Sequence, residues 1–318
     1  MLIAASVTAL SLTASGCVVV HGEREVLPAT TKAEAAKALQ QFTTAYNNAD
    51  KAYDSSLDAD YVTGPLADID AARLKAGRAG SPQGNTAHTP LKLSDEKFTI
   101  PKKAGWPRWF VADTAANKGG SARWLFVFTR DALDEPFQVA YLTLVAPDDV
   151  PRFKTDQDGW AEAVPANSTE LSVAPRELSQ DYATYLKDGE GKTFAQGSHT
   201  SGWRTQRQKD AKKPGRVTQY IDESLTDGDY APLALRTKDG GALVFFTTRH
   251  YLKQTAYAGT ELPDQTAAVD ALTTGEVKQS LTMEFVSNEV ALDPPKGADA
   301  GQVSVLGRIQ GLTAAKGE

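Results

Sequence analysis

Six cations fall within one fourteen-residue stretch, Trp203-Arg204-Thr205-Gln206-Arg207-Gln208-Lys209-Asp210-Ala211-Lys212-Lys213-Pro214-Gly215-Arg216, and the only acid among them is Asp210. Guanidinium groups offer paired N–H donors that match carboxylate and phosphate oxygens, and ammonium groups add point charge. Arg204, Arg207, Lys209, Lys212, Lys213 and Arg216 are therefore candidates for holding an anionic polymer or lipid headgroup. A solvated loop or helix face is the alternative. The histidines His21, His88, His199 and His250 are scattered, with no two at metal-ligand spacing, and each is expected at the surface or in a turn. His250 follows Arg249 at the end of a strand pattern, where it would sit on a pocket rim. Gly191-Lys192-Thr193 has the end of a phosphate-binding loop, but Leu186 stands where the first glycine is required. Asp156-Gln157-Asp158-Gly159 lacks the distal glutamate of a calcium loop. No catalytic residue, metal site or cofactor motif is assigned.

Cys17 is the single cysteine. It follows Leu2 to Ser15, an uncharged apolar or small segment of signal-peptide length, shorter than the roughly 20 residues that cross a bilayer. Leu12-Thr13-Ala14-Ser15-Gly16-Cys17 resembles a bacterial lipobox, with Ala14 where leucine is usual. That resemblance implies cleavage before Cys17 and a diacylglycerol on its sulfur, which would hold the chain at the extracytoplasmic face of the cell membrane. An ordinary small-x-small cleavage site, giving a secreted protein, is the alternative. One thiol makes no internal disulfide, so stability must come from the core.

The chain has 318 residues, 41% hydrophobic and 23% charged, which is ordinary globular material sufficient for two domains. Splitting it at Pro165 leaves 17 basic and 20 acidic residues on each side, a net charge of −3 per half. Neither half is the basic domain of a general nucleic-acid binder, and no nucleic-acid partner is expected.

The equal halves also share an order of motifs. Trp109-Phe110-Val111-Ala112-Asp113, a glycine turn and Phe126-Val127-Phe128-Thr129-Arg130 are matched by Pro232-Leu233-Ala234-Leu235-Arg236, Asp239-Gly240-Gly241 and Phe245-Phe246-Thr247-Thr248-Arg249. Each reads as a hairpin ending in Thr-Arg. Helical patterns with Leu39 and Tyr46, and with Leu178 and Tyr185, precede them, so a duplicated fold is expected.

In the first half, Thr31 and Glu34 form a capping-box pattern that starts a helix carrying Ala35, Leu39, Phe42 and Tyr46 on one face. It is expected to break at Asn47-Asn48 and restart through Tyr53 and Leu57. A short helix over 66–75 and a loop over 77–90 follow, then strands over 91–100, 106–113, 123–130 and 137–145. Trp124, Phe126 and Phe128 share one strand face while Leu125 and Val127 occupy the other, which suits a central strand. The second half predicts a helix over 175–187, strands over 217–223, 230–238, 243–249, 278–293 and 302–312, and a helical turn over 269–272. This order describes an α+β fold. The boundaries expected are 1–16 signal peptide, 17–30 tether, 31–155 first domain, 156–174 linker and 175–318 second domain.

Phe42-Thr43-Thr44-Ala45-Tyr46-Asn47-Asn48-Ala49-Asp50, Tyr61-Val62-Thr63-Gly64-Pro65 and Phe128-Thr129-Arg130 resemble an uncharacterised family of actinobacterial lipoproteins. The resemblance implies tandem domains of the cystatin or NTF2-like kind, each with a helix packed in the curve of an antiparallel sheet. It supplies no catalytic residue. Two functions follow as expectations. The first is a noncatalytic, membrane-anchored binding or scaffold module for an envelope protein, cell-wall polymer or small ligand. The second is an extracytoplasmic enzyme with a buried carboxylate base in an NTF2-like cavity. An apolar cavity holding a buried acid beside a Tyr or His would favour the enzyme; a cavity filled by Trp109, Trp124 and Phe126 would favour the module.

Overall fold

The computed structural model describes residues 25–189, 191–297 and 301–318. The signal segment, Cys17 and His21 lie outside the described residues. In chain order the elements are β1 (Leu27–Pro28), α1 (Lys32–Ala52), α2 (Gly64–Gly80), β2 (Leu93–Thr99), β3 (Pro101–Lys103), β4 (Arg108–Ala116), β5 (Arg123–Arg130), β6 (Gln138–Val145) and β7 (Ala161–Val164). There follow α3 (Pro175–Asp188), α4 (Ser201–Asp210), β8 (Lys212–Lys213), β9 (Arg216–Leu225), β10 (Leu233–Arg236), β11 (Ala242–Ala256), α5 (Ala267–Leu272), β12 (Thr273–Thr274), β13 (Ser280–Asp293) and β14 (Ser304–Gly317). The fold class is α+β, as expected.

Thr31 caps α1 by accepting a hydrogen bond from the Glu34 backbone N–H, and the Thr30 hydroxyl donates to the Glu34 carboxylate. The expected break at Asn47-Asn48 does not occur. The Asn47 side chain bonds both the N–H and the carbonyl of Leu91, so its amide serves tertiary structure instead of competing with its own helix. The helix runs on to Tyr53, which ends it at φ 51°. Helix α2 continues past the expected Lys75 to Gly80, and its Gly77 lies against the Tyr53 ring, where a Cβ would come within 2.4 Å of Cε1.

Among the described residues β2, β4, β5 and β6 form a meander of four antiparallel strands. One face meets α1, where Phe42, Phe110, Phe126 and Phe128 are all fully buried. On the other face Trp109, Val111, Leu125, Val127 and Tyr141 pack against Leu235, Leu243, Phe245 and Val290 of the second sheet. The apolar residues on both faces of β5 thus have the central position expected, but the second cover is a sheet.

That second sheet is built around β11, β13 and β14, with β9 and β10 both on the outer edge of β11. It also takes in β1, β3 and β7. Residues 156–174, expected as a linker, therefore include a strand: β7 pairs antiparallel with β10 and parallel with β3. Leu27 and Pro28, expected in the tether, pair with β3, and Ala29 and Thr30 are buried. The two halves are stitched into one body.

The motif match between the halves holds in order but not in phase. Phe126 lies in the core beneath α1, whereas its counterpart Phe245 lies between the sheets and Phe246 faces α3. A one-residue shift in a strand moves every side chain to the opposite face, so the aligned residues do different work.

Gly307 on β14 reports how closely the sheets approach. A Cβ there would lie 2.4 Å from the Leu144 carbonyl oxygen on β6. Gly307→Ala is expected to cost about 1–3 kcal/mol, because a backbone carbonyl cannot swing aside. Denaturant unfolding measures it, and an unchanged midpoint would mean that the sheets separate without penalty.

Candidate functional site

The basic stretch does not form one patch. Residues 201–210 are helix α4, lying over the β9 end of the second sheet, and the chain then turns through β8 into β9. Arg207 points inward and is 5% exposed. Its Nη1 donates to Asp222 on β9 at 2.7 Å, and its guanidinium lies 4.8 Å from the Trp203 ring and 4.7 Å from that of Tyr220. Arg308, from β14, stacks on Trp203 at 3.9 Å. Arg308, Trp203, Arg207 and Tyr220 form a cluster of cations and rings that holds α4 to the sheet, with the Trp203 and Tyr220 rings 6.5 Å apart at 73° to each other. Arg204 stacks on Tyr185 and donates from Nε to the Leu186 carbonyl at the end of α3. Gly189, at φ 71°, ends α3 where Arg204 crosses, and a side chain there would collide with the guanidinium.

Lys209 and Lys212 are exposed, Lys213 pairs with Asp210 at 2.9 Å, and the half-buried Arg216 begins β9. The structure thus brings Arg204 and Arg207 together at the base of α4 and leaves the lysines outside. One cavity, of about 230 Å³, opens between α3, α4 and β9, lined by Lys187, Arg204, Arg207, Thr218, Tyr220 and Asp222.

Beneath this cluster lies a group that sequence reasoning missed. Glu289 on β13 is fully buried and accepts a hydrogen bond from the Thr248 hydroxyl at 2.8 Å, while its second oxygen has no partner. Burial holds its carboxyl well above the usual range, only partly offset by Thr248 and by Arg308. Tyr182 of α3 is buried with it and donates to the His199 carbonyl. Residue type gave no signal: β13 is a mixed strand that also carries the half-buried Glu284, and only its pairing partners set Glu289 apart.

His250 corrects the expectation of a surface or pocket-rim histidine. It is 2% exposed, midway along β11, and stacked on Phe285 at 4.9 Å. The strand extends past the expected end at Arg249 and carries His250 inside. Burial, helped by Arg207 and Arg308, pushes its pKa down to about 3, so the imidazole is neutral. His199 is half-buried, its pKa lowered by burial and by Arg308. His88 pairs through Nδ1 with Asp50 at 2.6 Å.

A second buried group lies between α1 and α2. Arg73 joins Asp50 and Asp70, and nearby Asp58 is 1% exposed with both carboxyl oxygens unpartnered. Burial and the neighbouring Asp70 carboxyl push the Asp58 pKa up to about 8. Among the described residues no three of His, Cys, Asp and Glu come together as a metal-ligand set. No helix there is long and apolar enough to cross a membrane.

Residues 26–317 match the family model described as Domain of unknown function (DUF8094). The chain belongs to this family. An uncharacterized lipoprotein of Streptomyces coelicolor is 74% identical over 317 residues, covering 100% of this chain and 95% of the relative. One from Streptomyces avermitilis is 62% identical over 311 residues, covering 98% and 93%. A second S. coelicolor lipoprotein is 28% identical over 218 residues, covering 64% and 59%. No solved structure matches. The DUF8094 relatives are lipoproteins by name, which bears out the expected family type and its lipid-anchored, extracytoplasmic localisation.

Proposed function

We propose that this DUF8094 protein is a noncatalytic binding or scaffold module, held at the outer face of the membrane by a lipid on Cys17. One observation carries the reading: the space beneath each long helix is filled with rings. Phe42, Phe110, Phe126 and Phe128 fill it under α1, and Tyr182, Phe194 and Phe246 under α3. A cystatin- or NTF2-like enzyme would keep such a space open for substrate. The enzyme reading draws on Glu289, a buried acid near Tyr182, but of the cavity beside it only Arg207, Tyr220 and their neighbours form the wall.

Crosslinking the full lipoprotein in its native membrane and identifying what co-purifies tests the module. The wild type is expected to fractionate with membrane, carry a fatty-acyl label and retain a reproducible partner. Cys17→Ser is expected to lose the label and leave the membrane, and Glu289→Gln to leave partner recovery unchanged. Membrane retention by Cys17→Ser would end the anchor assignment. A turnover activity abolished by Glu289→Gln would replace the module with the enzyme.

A further inference from the structure

Strand pairing fixes the end of the molecule at which the described chain begins. β1 runs antiparallel to β3, with Leu27 opposite Lys103 and Pro28 opposite Lys102, so Val26 and Glu25 lie toward the turn over 104–107. β4 starts from that turn at Arg108, opposite Arg130 at the close of β5, which puts the β5–β6 loop, 131–136, at the same end. Side chains tie these segments together. Arg108 Nη1 donates to the Leu27 carbonyl at 3.2 Å, and the Trp106 ring lies 5.6 Å from the Arg108 guanidinium and 6.0 Å from that of Arg130.

This end carries apolar surface that the fold leaves open. Among the described residues Leu133 and Val26 are the two most exposed large apolar side chains, at 76% and 63%, and Leu27 is 44% exposed. The Glu135 N–H donates to the Ala132 carbonyl at 3.4 Å, so Leu133 stands at the tip of its loop. Single exposed apolar side chains are ordinary; the two largest exposures at the end from which the tether leaves call for a partner. Trp106, half-buried beside them, is the residue type that settles at the headgroup level of a bilayer. The cations here are turned inward: Lys103 onto the Ala104 and Trp106 carbonyls, Arg108 onto those of Leu27 and Lys103, and Arg130 onto Glu34. Glu25, Asp131, Asp134 and Glu135 are exposed acids, so the end has no basic patch to draw an anionic surface. Its attraction is apolar, and the carboxylates beside Leu133 keep it shallow.

We propose that this end of the molecule rests on the outer leaflet of the bilayer, with the Leu133 side chain inserted and Trp106 at headgroup level. Chain length agrees with this placement. Cys17 precedes Glu25 by eight residues, which reach at most about 29 Å when extended, so a lipid on Cys17 holds this end within that distance of the membrane. The inference rests on the Cys17 anchor and gives the anchored module an orientation.

The test uses the full lipoprotein reconstituted in phosphatidylcholine vesicles. With Cys17 carrying the lipid, Leu133→Cys supplies the one free thiol for a nitroxide label, and Ile221→Cys, on β9 and 52% exposed, supplies the comparison. The label at position 133 is expected to be shielded from a water-soluble nickel chelate about tenfold more than the label at 221, and to be relaxed more by oxygen, which concentrates in the bilayer. Replacing part of the phosphatidylcholine by phosphatidylglycerol is expected to leave that shielding the same or to reduce it. A lipoprotein that floats with the vesicles while position 133 stays as accessible to the chelate as position 221 overturns this orientation and leaves the anchor standing. Failure to float ends both. Shielding found only with phosphatidylglycerol overturns apolar insertion, and immobilisation of the label that grows with the number of proteins per vesicle assigns the end to a second copy and overturns it as well.

Discussion

Arg207→Ala is expected to destabilise the protein by about 3–5 kcal/mol, the range for removing one member of a buried ion pair. Asp222, with a side chain only 3% exposed, would keep its charge with no partner, and the stacks on Trp203 and Tyr220 would vanish with the guanidinium. Urea unfolding of Arg207→Ala, Asp222→Ala and the double variant measures this. The double variant is expected to recover part of the loss, since no lone charge remains. Additive losses would show that the pair is not coupled. Arg207→Lys is expected to lose less, because the ammonium can still face Asp222.

Stability is expected to peak in mildly acidic solution and to fall on both sides. Asp58 has a folded-state pKa of about 8 against an unfolded value near 3.8, so the folded protein holds a proton that the unfolded chain releases across that interval. Its stabilising contribution is complete below about pH 4 and is lost as pH rises through 8, at no more than about 1.4 kcal/mol per pH unit. Asp293, raised to about 7 by burial, and Glu289 act in the same direction. His250 acts oppositely. Its folded pKa of about 3 lies below the unfolded 6.5, so its contribution is present above 6.5 and is lost as pH falls towards 3. Asp58→Asn, which keeps a neutral side chain at every pH, is expected to gain several kcal/mol at pH 8, at most about 5, and less than about 1 kcal/mol at pH 4. Thermal melts of both proteins across that range decide it. Equal gains at pH 4 and 8 would mean that the benefit is packing and not the proton.

Much of the architecture was legible in the chain. The Thr31 cap and the alternating faces of β5 each depend on residues within a few positions of one another, and each formed as read. Asn47 shows where local reading ends. Its amide is a helix breaker by propensity and a helix neighbour in fact, because Leu91, 44 residues away, supplies its hydrogen bonds. The site divides in the same way. Arg204 and Arg207 were visible as charge, but their separation from Lys209 follows from the 3.6-residue turn of α4 laid on a sheet, and Lys212 lies beyond the helix in β8. Lys187, Asp222, Glu289 and Arg308 come from four other elements and share no spacing with the basic stretch.

Sequence alone determined the α+β class, the candidate lipid attachment at Cys17 and most of the helices and strands, since these rest on periodicity and short-range chemistry. Tertiary structure decided which charges are buried. It set the phase of the two hairpins, joined residues 27–30 and 161–164 to the second sheet, and enclosed Asp58, His250 and Glu289. The physical reason is that desolvation belongs to a place and not to a residue type: a charged side chain acquires its unusual proton affinity only when distant segments close over it.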